Sequence, residues 1–374
     1  VSGAAAAVSL AVMLLLLFAA QAVSVLAAPP SRSYTYNTEM LPVASPNPYT
    51  YNGEINGIDQ GVGRFLEPED FVVDKDNFIY LLDAGNKRVL VFDENKQIVR
   101  VLDHFDYKGE AITLKAPQGL HIYQYYGKKL LYVSDTENSR IFRVDLTNEL
   151  HGEVETNATV KVDRMYGKPV IDIIAEDTPY YPTKFIVDRA ERIFVLGRTI
   201  NRGVIKLTSD GSFDSFFGAP DVSYSLVEKF WRMLSTEAQR QKSLKYVPTE
   251  YSNIAQDSRG FTYVTISTME RQKLYSTFNT KPDDTDARAN NAVIRKLAAD
   301  GTDILTRRGY FPPVGDLSVY NPTAVEAVLA GMSSFVDVCI NDYDVYTIID
   351  DMRGKVFTYD NEGNLLFVFG GSAT

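Results

Sequence analysis

The chain has 374 residues, 45% of them hydrophobic and 12% aromatic, with 23 Tyr and 20 Phe against a single Trp. Its formal net charge of −10, unbroken by any run of Lys or Arg, excludes nucleic acid as an expected partner, since a phosphate backbone is bound by clustered cations. The one cysteine, Cys339, excludes an intrachain disulfide and a cysteine-held metal; in the strand-like run Phe335–Ile340 it reads as a small apolar side chain.

Residues 4–28 are almost wholly apolar, and Val25-Leu-Ala-Ala28 ahead of Pro29-Pro30 suits a signal-peptidase site. The run is also long enough to span a bilayer. Residues 1–28 are therefore expected to be a signal peptide or an N-terminal membrane anchor, and either places the remainder outside the cytoplasm. Residues 29–60, rich in Pro, Ser, Asn and Tyr, are expected to link this segment to the fold; Tyr-Thr-Tyr-Asn occurs there at 34–37 and 49–52.

From 61 to 374 the sequence repeats itself. Pro68-Glu-Asp-Phe-Val-Val-Asp74, Phe78–Leu82, Val89–Asp93 and Gln97–Leu102 are four short strand patterns separated by turn residues. The pattern returns from Pro117, Pro182, Pro248 and Pro322. Five copies of a four-stranded unit predict an all-β fold, a β-propeller with five recognisable blades. Within it, apolar residues at 226, 227, 230, 231 and 234 have helical spacing, so one amphipathic helix is expected as an insertion over about 222–242.

Two turns carry the same polar set: Asp83, Asn86 and Arg88, then Asp135, Asn138 and Arg140. These residues resemble the NHL repeat, and the stretch from Glu237 to Tyr251 is similar to exported surface NHL proteins of Gram-positive bacteria. The resemblance implies a six-bladed family, with the last blade missing from this chain as a C-terminally truncated member. It also implies a structural role for the six turn residues. Asp can accept hydrogen bonds from turn amides, Asn tolerates left-handed backbone, and Arg can pair with the Asp.

No zinc motif, nucleophile elbow, phosphate loop or dinucleotide fingerprint is present around the three histidines, so no catalytic residue, metal ligand or cofactor is assigned. The resemblance places ligands at the face where inner strands begin. Counting from each proline puts Asp70, His121, Lys184, Glu250 and Glu326 at one mouth of the central channel, and Phe71, Leu120, Phe185, Tyr251 and Val325 between blades. The expected function is an extracytoplasmic binding or scaffold propeller that recognises a protein or glycan on one face without catalysis. Membrane contact is expected only through the N-terminal segment or a region beyond the C-terminus. The alternative is a metal-dependent lactonase- or lyase-like enzyme with a divalent metal in the channel.

Overall fold

In four of the five blades a side-chain carboxylate or amide at the end of the inner strand turns the chain back on itself. Asp74 Oδ1 accepts from the amides of Asp76 and Phe78, both at 2.9 Å. Asp188, Asp257 and Asn341 repeat the motif on the amides two and four residues ahead. The residue three ahead is left-handed each time: Asn77 at φ 64°, Glu191 at 59°, Gly260 at 93° and Asp344 at 59°. Such side-chain-capped turns, with the third residue left-handed, suit three-residue hairpin loops between strands.

The computed structural model describes residues 33–37, 42–148, 159–171, 177–200, 203–218, 251–267, 292–307, 334–352 and 354–371. They form a propeller of five antiparallel blades. Blade 1 is Pro68–Val73, Ile79–Asp83, Arg88–Phe92 and Ile98–Leu102. Blade 2 is Gly119–Tyr125, Lys128–Asp135, Arg140–Asp145 and Val160–Tyr166, and Phe105–Tyr107 with Glu110–Ile112 extends its outer edge. Blade 3 is Pro182–Val187, Ile193–Gly197, Val204–Leu207 and Phe213–Phe217. Blade 4 has Asn253–Gln256, Thr262–Thr265 and Ile294–Leu297, with a bridge from Leu297 to Asp303 in the fourth position. Blade 5 is Phe335–Ile340, Tyr346–Asp350, Lys355–Tyr359 and Leu365–Gly370. Tyr34–Tyr36 and Pro42–Ala44 add two further strands to its outer edge, so part of the segment before the repeats is built into the last blade.

The NHL-like turns join the second strand of a blade to the start of its first. Asp83 is fully buried; its Oδ1 accepts from the Leu66 amide at 2.7 Å, and its Oδ2 accepts from Asn86 Nδ2 at 2.8 Å and Arg88 Nε at 2.7 Å. Asp135 repeats this with the Lys115 amide at 2.7 Å, Asn138 Nδ2 at 2.8 Å and Arg140 Nε at 2.8 Å. Asp350 does the same for the Ser334 amide at 2.9 Å. The asparagines contribute as donors, for the left-handed residues are the next ones, Lys87 and Ser139.

Blades pack face to face. Leu120 joins Tyr80, Leu82 and Val91 of blade 1; Phe185 joins Tyr132 and Ile141 of blade 2; Ile254 joins Phe194 and Phe217 of blade 3; Val338 joins Tyr263 and Ile294 of blade 4. At the same position blade 1 presents Phe71, which is 59% exposed. The expectation that Phe71 packs between blades is thus corrected, whereas Leu120, Phe185 and Tyr251 are buried. Val325, the amphipathic helix at 222–242 and the apolar segment 1–28 lie outside the described residues.

Asp83→Ala removes the acceptor of three donors while leaving Arg88 only 15% exposed. Urea denaturation should show the variant less stable by about 3 kcal/mol, the low end for breaking a buried pair. A loss below about 1 kcal/mol would show that the turn does not hold the blade together.

Candidate functional site

Where the inner strand of a blade begins, its pairing with the second strand slips. The register shifts between Pro68 and Asp70 in blade 1, between Pro182 and Phe185 in blade 3, and between Phe335 and Asp337 in blade 5. Such bulges re-aim a side chain out of the sheet. Here they bring Asp70, Lys184 and Asp337 together at the mouth of the channel.

Lys184 Nζ lies 3.1 Å from Asp70 Oδ2 and donates to the Glu69 carbonyl at 2.8 Å. Blades 1 and 3 are not neighbours, so this contact crosses the channel. Asp70 Oδ2 also accepts from the Leu120 amide of blade 2 at 2.8 Å. On the far side, Asp337 Oδ1 accepts from Asn253 Nδ2 and from its neighbour Val338 N, both at 2.7 Å. Blade 2 contributes Gly119 here: a Cβ at that position would stand 2.5 Å from the Thr183 carbonyl, so only glycine allows blade 3 this close.

Burial raises the pKa of Asp70, offset in part by the Lys184 ammonium. Asp337 is raised first by burial and then by the charge of Asp70, with Lys184 acting against both. One ammonium thus serves two half-buried carboxylates. Raised carboxylates in a cleft are a common mark of a functional site.

Of the five residues expected at the mouth, the structure brings together Asp70 and Lys184. His121 is corrected: it sits one step past the Leu120 position, with its ring 6.3 Å from that of Phe185 in blade 3. Loss of water between the blades pushes its pKa down to about 4, against a backbone hydrogen bond with Val187. Glu250 and Glu326 lie outside the described residues, and Asn253 and Asp337 hold the corresponding places in blades 4 and 5. Counting back four residues from the turn residues Asp74, Asp188, Asp257 and Asn341 finds Asp70, Lys184, Asn253 and Asp337. The prolines at 248 and 322 do not mark the inner strands, which start at Asn253 and Phe335.

Fold and mouth together define a five-bladed propeller whose channel opens on a polar cluster. Residues 65–92, from before the inner strand through the Asp83–Arg88 turn, match the NHL repeat. No curated protein sequence matches the chain. Among solved structures, the chain is similar to virginiamycin B lyase from Staphylococcus aureus at 11% identity and a TM-score of 0.41, over 80% of this chain and 69% of that one. It is similar to a gluconolactonase from Xanthomonas campestris at 14% and 0.40, over 80% and 74%. A protein of unknown function from Bacteroides caccae matches at 9% and 0.42, over 81% of each chain.

Because the folded chain holds the Asp337 proton more tightly than the ordinary value of 3.8, this stabilising contribution is complete below that pH and is lost as pH rises through the folded value. Asp337→Asn keeps the Oδ1 acceptor and removes the charge. Its melting temperature should exceed that of the native chain at pH 7, and the gap should close as pH falls toward 3.8. Equal melting at pH 7 would show that the carboxylates do not strain the mouth.

Proposed function

We propose that the chain is a non-catalytic binding propeller displayed outside the cytoplasm, which recognises a hydroxyl-rich glycan, or a protein group of the same hydrogen-bonding chemistry, at this mouth. The supporting observation is the pairing of an exposed aromatic ring with an unfilled acceptor. Phe71 is 59% exposed and adjoins Asp70 in sequence, while Asp337 Oδ2 accepts no hydrogen bond among the described residues. An exposed apolar ring on the strand that carries Asp70, with fixed carboxylate and amide oxygens at the mouth, suits a sugar, whose C–H face stacks while its hydroxyls donate. The apolar segment at 4–28 supports an extracytoplasmic setting, and membrane contact would run through that segment.

The convergence of Asp70, Asn253 and Asp337 also brings the metal-dependent reading to the same mouth. The donor set does not fit a divalent ion. Lys184 Nζ stands at 3.1 Å from Asp70, in the place a cation would take, and the described residues hold no cluster of three or more His, Cys, Asp or Glu suited to a metal. No catalytic step is therefore derived through a metal.

Binding of the full chain to a glycan array and to insoluble cell-wall polysaccharide tests the proposal. Phe71→Ala and Asp337→Ala should each weaken retention about tenfold, on the order of 1.4 kcal/mol. Glu94→Ala, on an exposed turn away from the mouth, should leave it unchanged. Native chain that binds no glycan, or variants that bind as tightly as it does, would overturn the reading. Stoichiometric metal with turnover of lactones would replace it with the hydrolytic one.

A further inference from the structure

The inner strands begin at the mouth and end at the Asx turns, so those turns form the opposite face of the ring. Between the turns of blades 3 and 4 lies a cavity of about 240 Å³, whose charged lining is Asp188, Arg189, Arg192, Lys206, Asp257 and Arg259. In a chain of net charge −10, this is a local concentration of cations.

The four Asx turns serve as internal controls for what the fold itself requires. Four residues after the turn Asp or Asn, three copies carry an apolar side chain, namely Phe78, Phe261 and Val345; blade 3 carries Arg192 instead. Two residues after it, the other copies carry Asp76, Ala190 and Tyr343, whereas blade 4 carries Arg259. One residue after it stand Lys75, Ser258 and Asp342, against Arg189 in blade 3. The same turn forms in every case. Neither Arg192 nor Arg259 is therefore demanded by the turn, yet both meet at the one cavity.

Each guanidinium is steered by a protein acceptor and keeps donors to spare. Arg189 Nη2 donates to the Ser258 carbonyl at 2.8 Å, which ties blade 3 to blade 4. Arg192 engages Asp188 through Nε at 2.7 Å and Nη2 at 2.5 Å. Arg259 Nη2 reaches Asp344 Oδ2 at 2.7 Å, and Asp214 holds Lys206 from outside the cavity at 2.6 Å. Arg192 and Arg259 remain 47% and 52% exposed. Held in place by one edge and open at another, guanidinium groups present the fork that takes a carboxylate or phosphate in two parallel hydrogen bonds. The volume falls below the roughly 300 Å³ at which sites for drug-sized ligands begin, so it accommodates one anionic group rather than a whole large molecule.

We infer that this cavity is a second binding site, independent of the channel mouth, for a small anionic group: a carboxylate or a phosphate presented by a sugar or other small ligand. Arg192 and Arg259 are its specificity-determining residues, and Arg189 positions the two turns against each other.

Isothermal titration of the full chain at fixed ionic strength, with inorganic phosphate in one arm and glucuronate in the other, tests the inference. Saturable uptake of one anion per chain is expected in at least one arm, and the arm that binds identifies the source chemistry. Arg192→Phe and Arg259→Ala adopt residues that the other turns already carry; because Arg192 also pairs with the buried Asp188, the variants should melt below the native chain yet remain folded at the titration temperature, which far-UV circular dichroism checks. Together they should weaken uptake at least tenfold. No saturable uptake in either arm, or uptake unchanged in the folded double variant, would overturn the site. The mouth variant Asp337→Ala should bind these anions as the native chain does, and a parallel loss there would equally overturn an independent site.

Discussion

The buried carboxylate at the end of the second strand is the constraint on which the rest depends. Asp83, Asp135 and Asp350 each catch an amide at the start of the blade's inner strand, at Leu66, Lys115 and Ser334. That bond fixes where the inner strand begins. In blades 1 and 5 the pairing then slips by one residue, and the slip aims Asp70 and Asp337 out of the sheet. A carboxylate chosen for turn geometry thus also determines which side chain reaches the channel. The arginines complete the device: a buried carboxylate without a partner would be costly, and Arg88 and Arg140 stand at 2.7 Å and 2.8 Å from theirs.

The two faces of the ring divide the charge of an acidic chain between them. At the mouth, one ammonium is set against two half-buried carboxylates, and both are driven toward the protonated state chiefly by burial. On the opposite face the arginines of two neighbouring turns converge. A hydroxyl or ammonium donor is favoured at the first and an anion at the second. The four Asx turns share one backbone frame, and they differ in the residues one to four positions after the turn residue; the repeat tolerates those differences because the Oδ1 bonds that make each turn run to backbone amides.

Much of this was legible in the sequence, and the reasons for what was missed are physical. Alternating apolar residues and the paired Asp–Asn–Arg sets disclose blades, because both patterns follow from local hydrogen bonding. The proline marker works in blades 1 and 3, where Pro68 and Pro182 stand at the start of inner strands. The inner strands of blades 4 and 5 begin at Asn253 and Phe335, some way past Pro248 and Pro322, and the expected Glu250 and Glu326 lie outside the described residues. The Asx residue is the sounder marker since it makes the hairpin, whereas proline merely tolerates a strand's first position. For His121 the reason is different: side chains alternate along a strand, so the residue after Leu120, which packs on blade 1, lies against Phe185 of blade 3. That Phe71 lies open was not legible, because an apolar residue in a repeat says which surface it would cover and nothing of whether a neighbour is there.

The open flank beside Phe71 and the charges of the mouth belong to one mechanical problem. Blade 1 carries the exposed Phe71, and blades 1 and 5 carry the two carboxylates, Asp70 and Asp337. Covering Phe71 would gain roughly 25 cal/mol for each Å² of apolar surface removed from water. Bringing Asp70 and Asp337 closer would press like charges together in a setting that already raises both pKa values. Lys184 acts on both but reaches across from blade 3 to Glu69 and Asp70, so it lies nearer the blade 1 carboxylate. A donor placed between Asp70 and Asp337 removes the repulsion and leaves the apolar gain unopposed.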